Sequence, residues 1–364
     1  MTGFGRQYKH RIGSAGGTAR WILVVAVAGA LLAAACGQAA QPAGGAEDSG
    51  DGGEADGGSL VIYSGRNENL IGPIIDRFEQ ETGIRVKIRY GGTSELAGML
   101  LEEGARSPAD LFFAQDAGAL GAIANEGMFR ELPADLLERV EPRFRSPQGN
   151  WTGISGRARV VAYNVDRVDP ADLPDSIWGF TDPEWRGRIG WPPTNGSFQA
   201  FITAFRVAEG DEAARRWLEG ILANEPRVYS NNTSSIEAVG AGEVDVAFVN
   251  HYYLHRFKSE DPNFPAANYY LKDGDVGAMI NIAGAGILKE ASNLSAAERF
   301  LDYMLSEDAQ TYFAEETTEY PLIEGVGTWD ELVPLDEIET PGIDLSDLWD
   351  LQKTLELLHD VGAL

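Results

Sequence analysis

LVIYSGRNENLIGPIIDRFEQETGIRVKIRY, residues 60–90, followed by GGTSELAGMLLEEGARSPADLFFAQDAGALGAIAN, residues 91–125, decides the fold. Residues 60–63 are a short apolar run suited to a buried strand, and SGRNE after them reads as a polar turn. Leu70, Ile71, Ile74, Ile75 and Phe78 then recur at helical spacing, with Pro73 predicting a late start or a kink. In residues 84–90, Ile84, Val86, Ile88 and Tyr90 alternate with Arg85, Lys87 and Arg89, the pattern of a half-exposed strand. A capped helix is expected over about 94–103, stopped by Gly104. Residues 111–113 are the next strand, leading through Ala114, Gln115 and Asp116 into a small-residue helix that ends near Asn125. Strand, helix, strand, helix in this rhythm gives a mostly parallel sheet flanked by helices, an α/β protein.

The rhythm continues downstream. Strands are expected at 159–163, 188–191, 227–229 and 245–249, and helices at 197–209, 211–222 and 296–314, with an amphipathic one around 345–358. Residues 278–288, AMINIAGAGIL, are apolar and glycine-rich and suit a segment running back between two lobes. With 364 residues the chain exceeds one typical core, so two lobes are expected.

At the other end, basic residues through Arg20 precede the apolar run WILVVAVAGALLAAA, residues 21–35, which is short for a membrane span and stops at Cys36. This resembles a lipoprotein signal, with Cys36 as the lipidated first residue of the mature chain. Ala33 stands where such signals usually carry leucine, so a plain cleaved signal or an uncleaved anchor remain alternatives. Residues 37–59, rich in Gly, Ala and acid, read as a flexible tether. Cys36 is the single cysteine, which leaves no disulfide framework and no thiolate metal site. The formal charge is −27, and without the four basic residues of the leader 25 basic face 56 acidic residues. Such a balance excludes a nucleic-acid binder.

Five polar turns fall between a strand and a helix: 64–68, 115–116, 194–197, 231–234 and 250–253. Strand carboxyl ends and helix amino ends both face the crevice of an open sheet, so the turns are expected to converge on one cleft. The plainer reading of each is a helix cap. The last turn joins the apolar DVAFV to Tyr252 and Tyr253 in DVAFVNHYYLHR, residues 245–256. A phenolate is a hard anionic donor suited to a hard, highly charged ion. Tyr titrates near ~10, so a strong cation must ionise it at neutral pH. A tyrosine pair is otherwise core aromatic.

The run FVNHYYLHR is similar to the tyrosine-pair segment of the bacterial ferric-ion-binding proteins, the extracytoplasmic solute receptors of ABC iron importers. LVIYSGRNENL, ADLFFAQDAGAL, SGRARVVAYN, WRGRIGWPPTNGSF and EYPL match the same family in order, so the similarity spans about residues 60–327. The resemblance implies a two-lobe periplasmic-binding-protein fold of type II, like a transferrin lobe. Lobe 1 would take residues 60–155 and about 280–315, and lobe 2 residues 156–279 and about 316–364. It implies Tyr252 and Tyr253 as ferric ligands, with carbonate or phosphate as companion anion near Asn195, Gly196, Asn232 and Asn250. Asn67 stands where the family has a histidine ligand and Gln115 where it has a glutamate, so anions or water must complete the coordination. Arg66 and Arg157 could hold a carbonate-like anion by paired hydrogen bonds, and Asp116 could reach the metal or simply cap a helix. A third family tyrosine is absent at Ser155 and Gly156. The implied partners are an ABC permease with its ATPase, and the membrane through a lipid anchor. The receptor is expected to be monomeric, extracytoplasmic and without catalytic activity.

The alternative is a receptor of the same fold for a phosphonate, polyamine or sugar, which the missing His and Glu favour. A hydrolase has little support. His251 and His255 are four apart, but no Glu follows His251 as HExxH requires, and no phosphate-loop or nucleophile pattern occurs.

Overall fold

β4, Thr152–Asn164, is buried along all 13 of its residues and serves two half-sheets. The computed structural model describes residues 58–329 and 332–364. Around β4 lie β1 Ser59–Ser64, β2 Arg85–Tyr90, β3 Leu111–Ala114, β5 Ile189–Trp191, β6 Arg227–Val228, β7 Val246–Asn250, β8 Ala266–Tyr269, β9 Ile280–Ile287 and β10 Tyr320–Pro321. Their order is β2-β1-β3-β9-β4-β7-β5-β6, with β8 and β10 also paired to β4.

Thr152 to Ala158 of β4 pair antiparallel with β9, and Arg159 to Tyr163 pair antiparallel with β7. The change of partner between Ala158 and Arg159 divides the sheet into two halves. Away from the centre the pairings are parallel: β1 with β2 and β3, β5 with β6 and β7. The strand–helix rhythm thus delivers the expected parallel outer ladders, while the segment expected to run back between lobes is β9, inserted antiparallel between β3 and β4. Helices on both faces leave β1 and β3 apolar and buried, whereas β2, on an edge, exposes Arg85, Lys87 and Arg89, which discourages further strand pairing.

Several local expectations change. Ser59 opens β1 opposite Arg85, so the tether cannot extend through it. The leader, Cys36 and the rest of the tether up to residue 57 lie outside the described residues. The helix Glu68–Thr82 does not start late but carries Pro73 inside it: the Asn67 side chain caps it, accepting from the Asn69 N–H. A proline there forfeits one backbone bond, and the buried face of Ile71, Ile74, Ile75 and Phe78 holds the helix together. The expected single helix over 296–314 is two, Leu294–Met304 and Glu307–Glu316, because Ser306 caps the second through the Ala309 N–H. The C-terminal stretch divides likewise into a 3-10 turn, Leu345–Trp349, and a helix, Leu351–Asp360, with the Asp350 side chain capping the latter. The turn lies so close to the helix Ala117–Asn125 that a Cβ on Gly118 or Gly121 would come within 2.4 Å of the Leu348 or Ser346 carbonyl oxygen. The following helix packs on Gly196–Glu209, where Thr354 meets Thr203 at 2.8 Å and Arg206 at 2.8 Å.

A register shift interrupts the β4–β9 ladder between Gly153 and Ser155. The Ile154 carbonyl inside the bulge is satisfied by Gln310, whose Nε2 donates to it and to the Met304 carbonyl at 2.8 Å each. Gln310 Oε1 accepts from the Leu322 N–H at 2.7 Å, and the residue is fully buried. Gln310→Leu would strand three buried backbone groups, so a loss of about 3 kcal/mol is expected in urea denaturation. A loss below about 1 kcal/mol would show that the bulge does not need this residue.

Candidate functional site

The apolar run of β7 ends at Asn250, and after His251 the chain enters the helix Tyr252–Glu260. Tyr252 is 6% exposed and Tyr253 half-buried; their rings stack with centroids 4.3 Å apart. Both line a cleft of about 910 Å³. Its other wall comes from the turn after β1, with Arg66 and Asn67, and from the turn after β3, with Gln115. His255 and Arg256 on the tyrosine helix, and Thr318, complete the part that matters here.

Beneath the cleft lies a buried charge network. Arg66 donates from Nη1 to Gln115 Oε1 at 2.9 Å and from Nη2 to both Glu319 oxygens at 2.9 Å, with both charged side chains fully buried. Glu319 also accepts from the Ser155 hydroxyl. Burial pushes the Glu319 carboxyl up, but Arg66 and Arg157 outweigh it and hold the group below the usual range. Arg157 donates to the Gln115 and Ile282 carbonyls, and Arg159 to Asn250 Oδ1 at 3.0 Å. Arg157 and Arg159 are two apart in a strand and so project from one face. The Nε atoms of all three arginines are buried without a partner. Burial lowers the Arg159 guanidinium to about 9, opposed by the Tyr253 and Tyr252 phenols. Desolvation pushes the Tyr252 hydroxyl above its ordinary value, neighbouring Tyr253 adds to this, and Arg157 opposes it. Ligand-free Tyr252 is therefore a neutral phenol. Three buried guanidinium groups against Glu319, with only Asp116 near Arg157 besides, leave a positive surplus, and a buried surplus of that kind calls for an anion.

Three of the five expected turns meet at the cleft and two do not. Asn195 caps the helix Gly196–Glu209, accepting from the Ser197 N–H at 3.0 Å, and the Asn232 amide donates to Ser197 Oγ at 3.0 Å. The Asn195 oxygen is spent on this local group, the ordinary work of a cap, whereas the Asn232 Oδ1 is buried without a partner. Gly196 opens its helix, and a Cβ there would meet nothing within 4 Å. Asn250 is occupied by Arg159. Asp116 caps the helix Ala117–Asn125 through the Ala119 N–H at 3.0 Å and is not among the cleft-lining residues; burial pushes its carboxyl up. Arg66, expected to offer a free fork to an anion, has that fork taken by Glu319 and Gln115.

Sequence reading passed over Arg159, Glu319 and the structural use of His251. A second arginine inside the apolar SGRARVV was a usable signal, since a strand interior tolerates a guanidinium only with a partner. Glu319 pairs with Arg66 across 253 residues, which no local pattern reveals. His251 is fully buried: Nδ1 accepts from the Ala158 N–H at 3.1 Å, so Nε2 carries the proton and donates to the Thr318 carbonyl at 2.8 Å. With both nitrogens used, it does not pair with His255 on a metal. Among the described residues no three His, Cys, Asp or Glu side chains are placed to hold a metal.

A cleft walled by turns from two half-sheets that share a central strand defines a solute receptor. The chain belongs to the bacterial extracellular solute-binding proteins, whose family profile matches residues 106–339. It is 33% identical over 308 residues to the Fe(3+)-binding periplasmic protein of Serratia marcescens, covering 84% of this chain and 90% of that one. Iron-bound HitA from Pseudomonas aeruginosa superposes with a TM-score of 0.78 at 36% identity, covering 84% of this chain and 99% of that one. Trichodesmium IdiA (FutA), in complex with iron and citrate, does so with a TM-score of 0.75 at 30% identity, over 84% and 99%. The expected fold and the ferric-binding kinship are therefore correct. No helix among the described residues is long and apolar enough to cross a membrane.

Burial holds the His251 imidazole at about 4. Unfolding restores a value near ~6.5, so between these values the unfolded chain binds the extra proton. Stability of the ligand-free protein from this source is complete above pH ~6.5 and falls by up to roughly 3 kcal/mol as the pH drops to ~4. Urea midpoints measured across that window check it; a flat profile would contradict a neutral buried ring.

Proposed function

We propose that this chain is the extracytoplasmic receptor of an ABC importer and binds ferric iron in the cleft. The observation that carries the reading is the stacked pair Tyr252 and Tyr253 at the cleft wall, backed by buried arginines without enough carboxylate to balance them. Desolvation keeps Tyr252 neutral when the site is empty; a trivalent ion displaces the phenolic protons, and each phenolate then offsets part of the positive surplus. Tyr252 and Tyr253 are the metal ligands in this reading. Asn67 and Gln115, in place of stronger ligands, leave room for a companion anion such as carbonate or phosphate. Arg157 and Arg159, with Asn250, supply its positive surroundings. Citrate in the Trichodesmium relative makes a carboxylate anion a further candidate.

The division into lobes, 60–155 with about 280–315 and 156–279 with about 316–364, is supported by the change of partner in β4 at Ala158, where a hinge would sit. Bound iron with its anion would draw the walls together by the difference in its affinity for the open and closed states. The closed receptor would then deliver iron to the permease and its ATPase while tethered through lipidated Cys36. We assign it no catalytic role.

Iron-loaded protein is expected to show a visible tyrosinate-to-iron absorption band. Tyr252→Phe with Tyr253→Phe should abolish the band and weaken ferric affinity more than roughly 100-fold, since even outer-shell losses cost 10–100-fold. A colourless iron-saturated wild type removes the phenolate assignment, and calorimetry with phosphonates, polyamines and sugars then tests the other solutes. Because binding releases protons, affinity is expected to fall as pH drops from about 7.5 to about 5.5. A pH-independent affinity in a competition titration would argue against phenolate ligands.

A further inference from the structure

We propose that His251 is a positioning residue of this site: its imidazole ties the tyrosine-bearing helix to the segment that holds Arg66, so that one side chain sets the two cleft walls against each other. The proposal rests on the ferric reading of the tyrosine pair.

His251 immediately precedes Tyr252, at the cap position of its helix, yet its side chain makes no capping bond. Asn67, Asp116, Asn195 and Asn231, at the corresponding place in the other four turns, all spend their side chains on capping. The imidazole is instead committed to two distant segments. On one side Nδ1 accepts from the Ala158 N–H while the His251 N–H donates to the Ala158 carbonyl, both at 3.1 Å. That clamp grips β4 at the residue where its pairing passes from β9 to β7. On the other side Nε2–H donates to the Thr318 carbonyl at 2.8 Å. Thr318 is a non-glycine residue at φ +54°, a conformation that persists only when its surroundings impose it. The next residue, Glu319, grips Arg66 with both oxygens. A continuous path therefore runs Tyr252, His251, Thr318, Glu319, Arg66, with every step a covalent link or a hydrogen bond. The imidazole also lies edge-on to the Tyr252 ring, centroids 5.7 Å apart, and against the Tyr320 ring at 4.8 Å, which restricts its rotation. A residue needed only to fill this space would not require opposite hydrogen-bonding roles on its two ring nitrogens.

Two substitutions in the full chain separate the two bonds. His251→Asn keeps an acceptor near the Nδ1 position and loses the donor to Thr318; His251→Gln carries a donor that reaches toward Thr318. His251→Asn is expected to weaken ferric affinity at least roughly 10-fold, the lower end of outer-shell losses, and to shift the tyrosinate band. His251→Gln should return affinity to within about 3-fold of wild type. Wild-type affinity and absorption in His251→Asn, or an equal loss in both variants, would overturn the proposal. Should His251→Asn fail to fold, a loss of more than about 10-fold in His251→Gln overturns it alone, and retention within about 3-fold supports it. A wild type that shows no ferric band refutes the iron reading instead. The proposal is then decided on the ligand-free protein by near-ultraviolet circular dichroism of the tyrosines, which should differ from wild type in His251→Asn and match it in His251→Gln.

Discussion

The structure depends on a single strand being buried from end to end. β4 gives its first half to β9 and its second to β7, so neither half-sheet is complete without it. Such a strand has no solvent to satisfy its backbone, and every departure from regular pairing must be met by a side chain. Gln310 meets the bulge at Ile154, and His251 meets Ala158 where the partners change. These two buried polar residues stand at the places where the ladder alone would leave backbone groups stranded.

The same strand carries Arg157 and Arg159 into the interior. Their burial is costly, and Glu319 offsets only part of the positive charge. A network of this kind is a poor way to stabilise a fold, because removing the charges and packing the space with apolar groups would serve as well. It is a sensible way to prepare a site in which negative charge arrives with the ligand. In the proposed ferric site, negative charge that arises only when the metal binds would spare the protein from burying it permanently.

Local patterns in the sequence carried a large part of this architecture. The alternation of Arg85, Lys87 and Arg89 with apolar residues identified a half-exposed strand, which the fold places at the sheet edge, and Gly104 and Asn125 sit within one residue of real helix ends. What remained hidden was set by long-range pairing. β9 enters between β3 and β4 from well over a hundred residues away, and the Arg66–Glu319 contact spans still more of the chain. The tyrosine pair was legible through resemblance, since nothing about adjacent aromatics by themselves indicates a cleft. Asn195 shows how one residue type serves two ends: suited to an anion, it is equally suited to a helix end, and its side chain caps the helix Gly196–Glu209.

The C-terminal stretch ends on a different kind of economy. Its 3-10 turn rests in a shallow trough made by Gly118 and Gly121, and its helix lies along Gly196–Glu209, gripped by Thr203 and Arg206. The last twenty residues thus act as a brace laid across elements from distant parts of the chain. Shortening the protein before Leu345 would bare the trough and part of a second helix together, so this stretch is a poor site for trimming even though it lies far from the tyrosines in sequence.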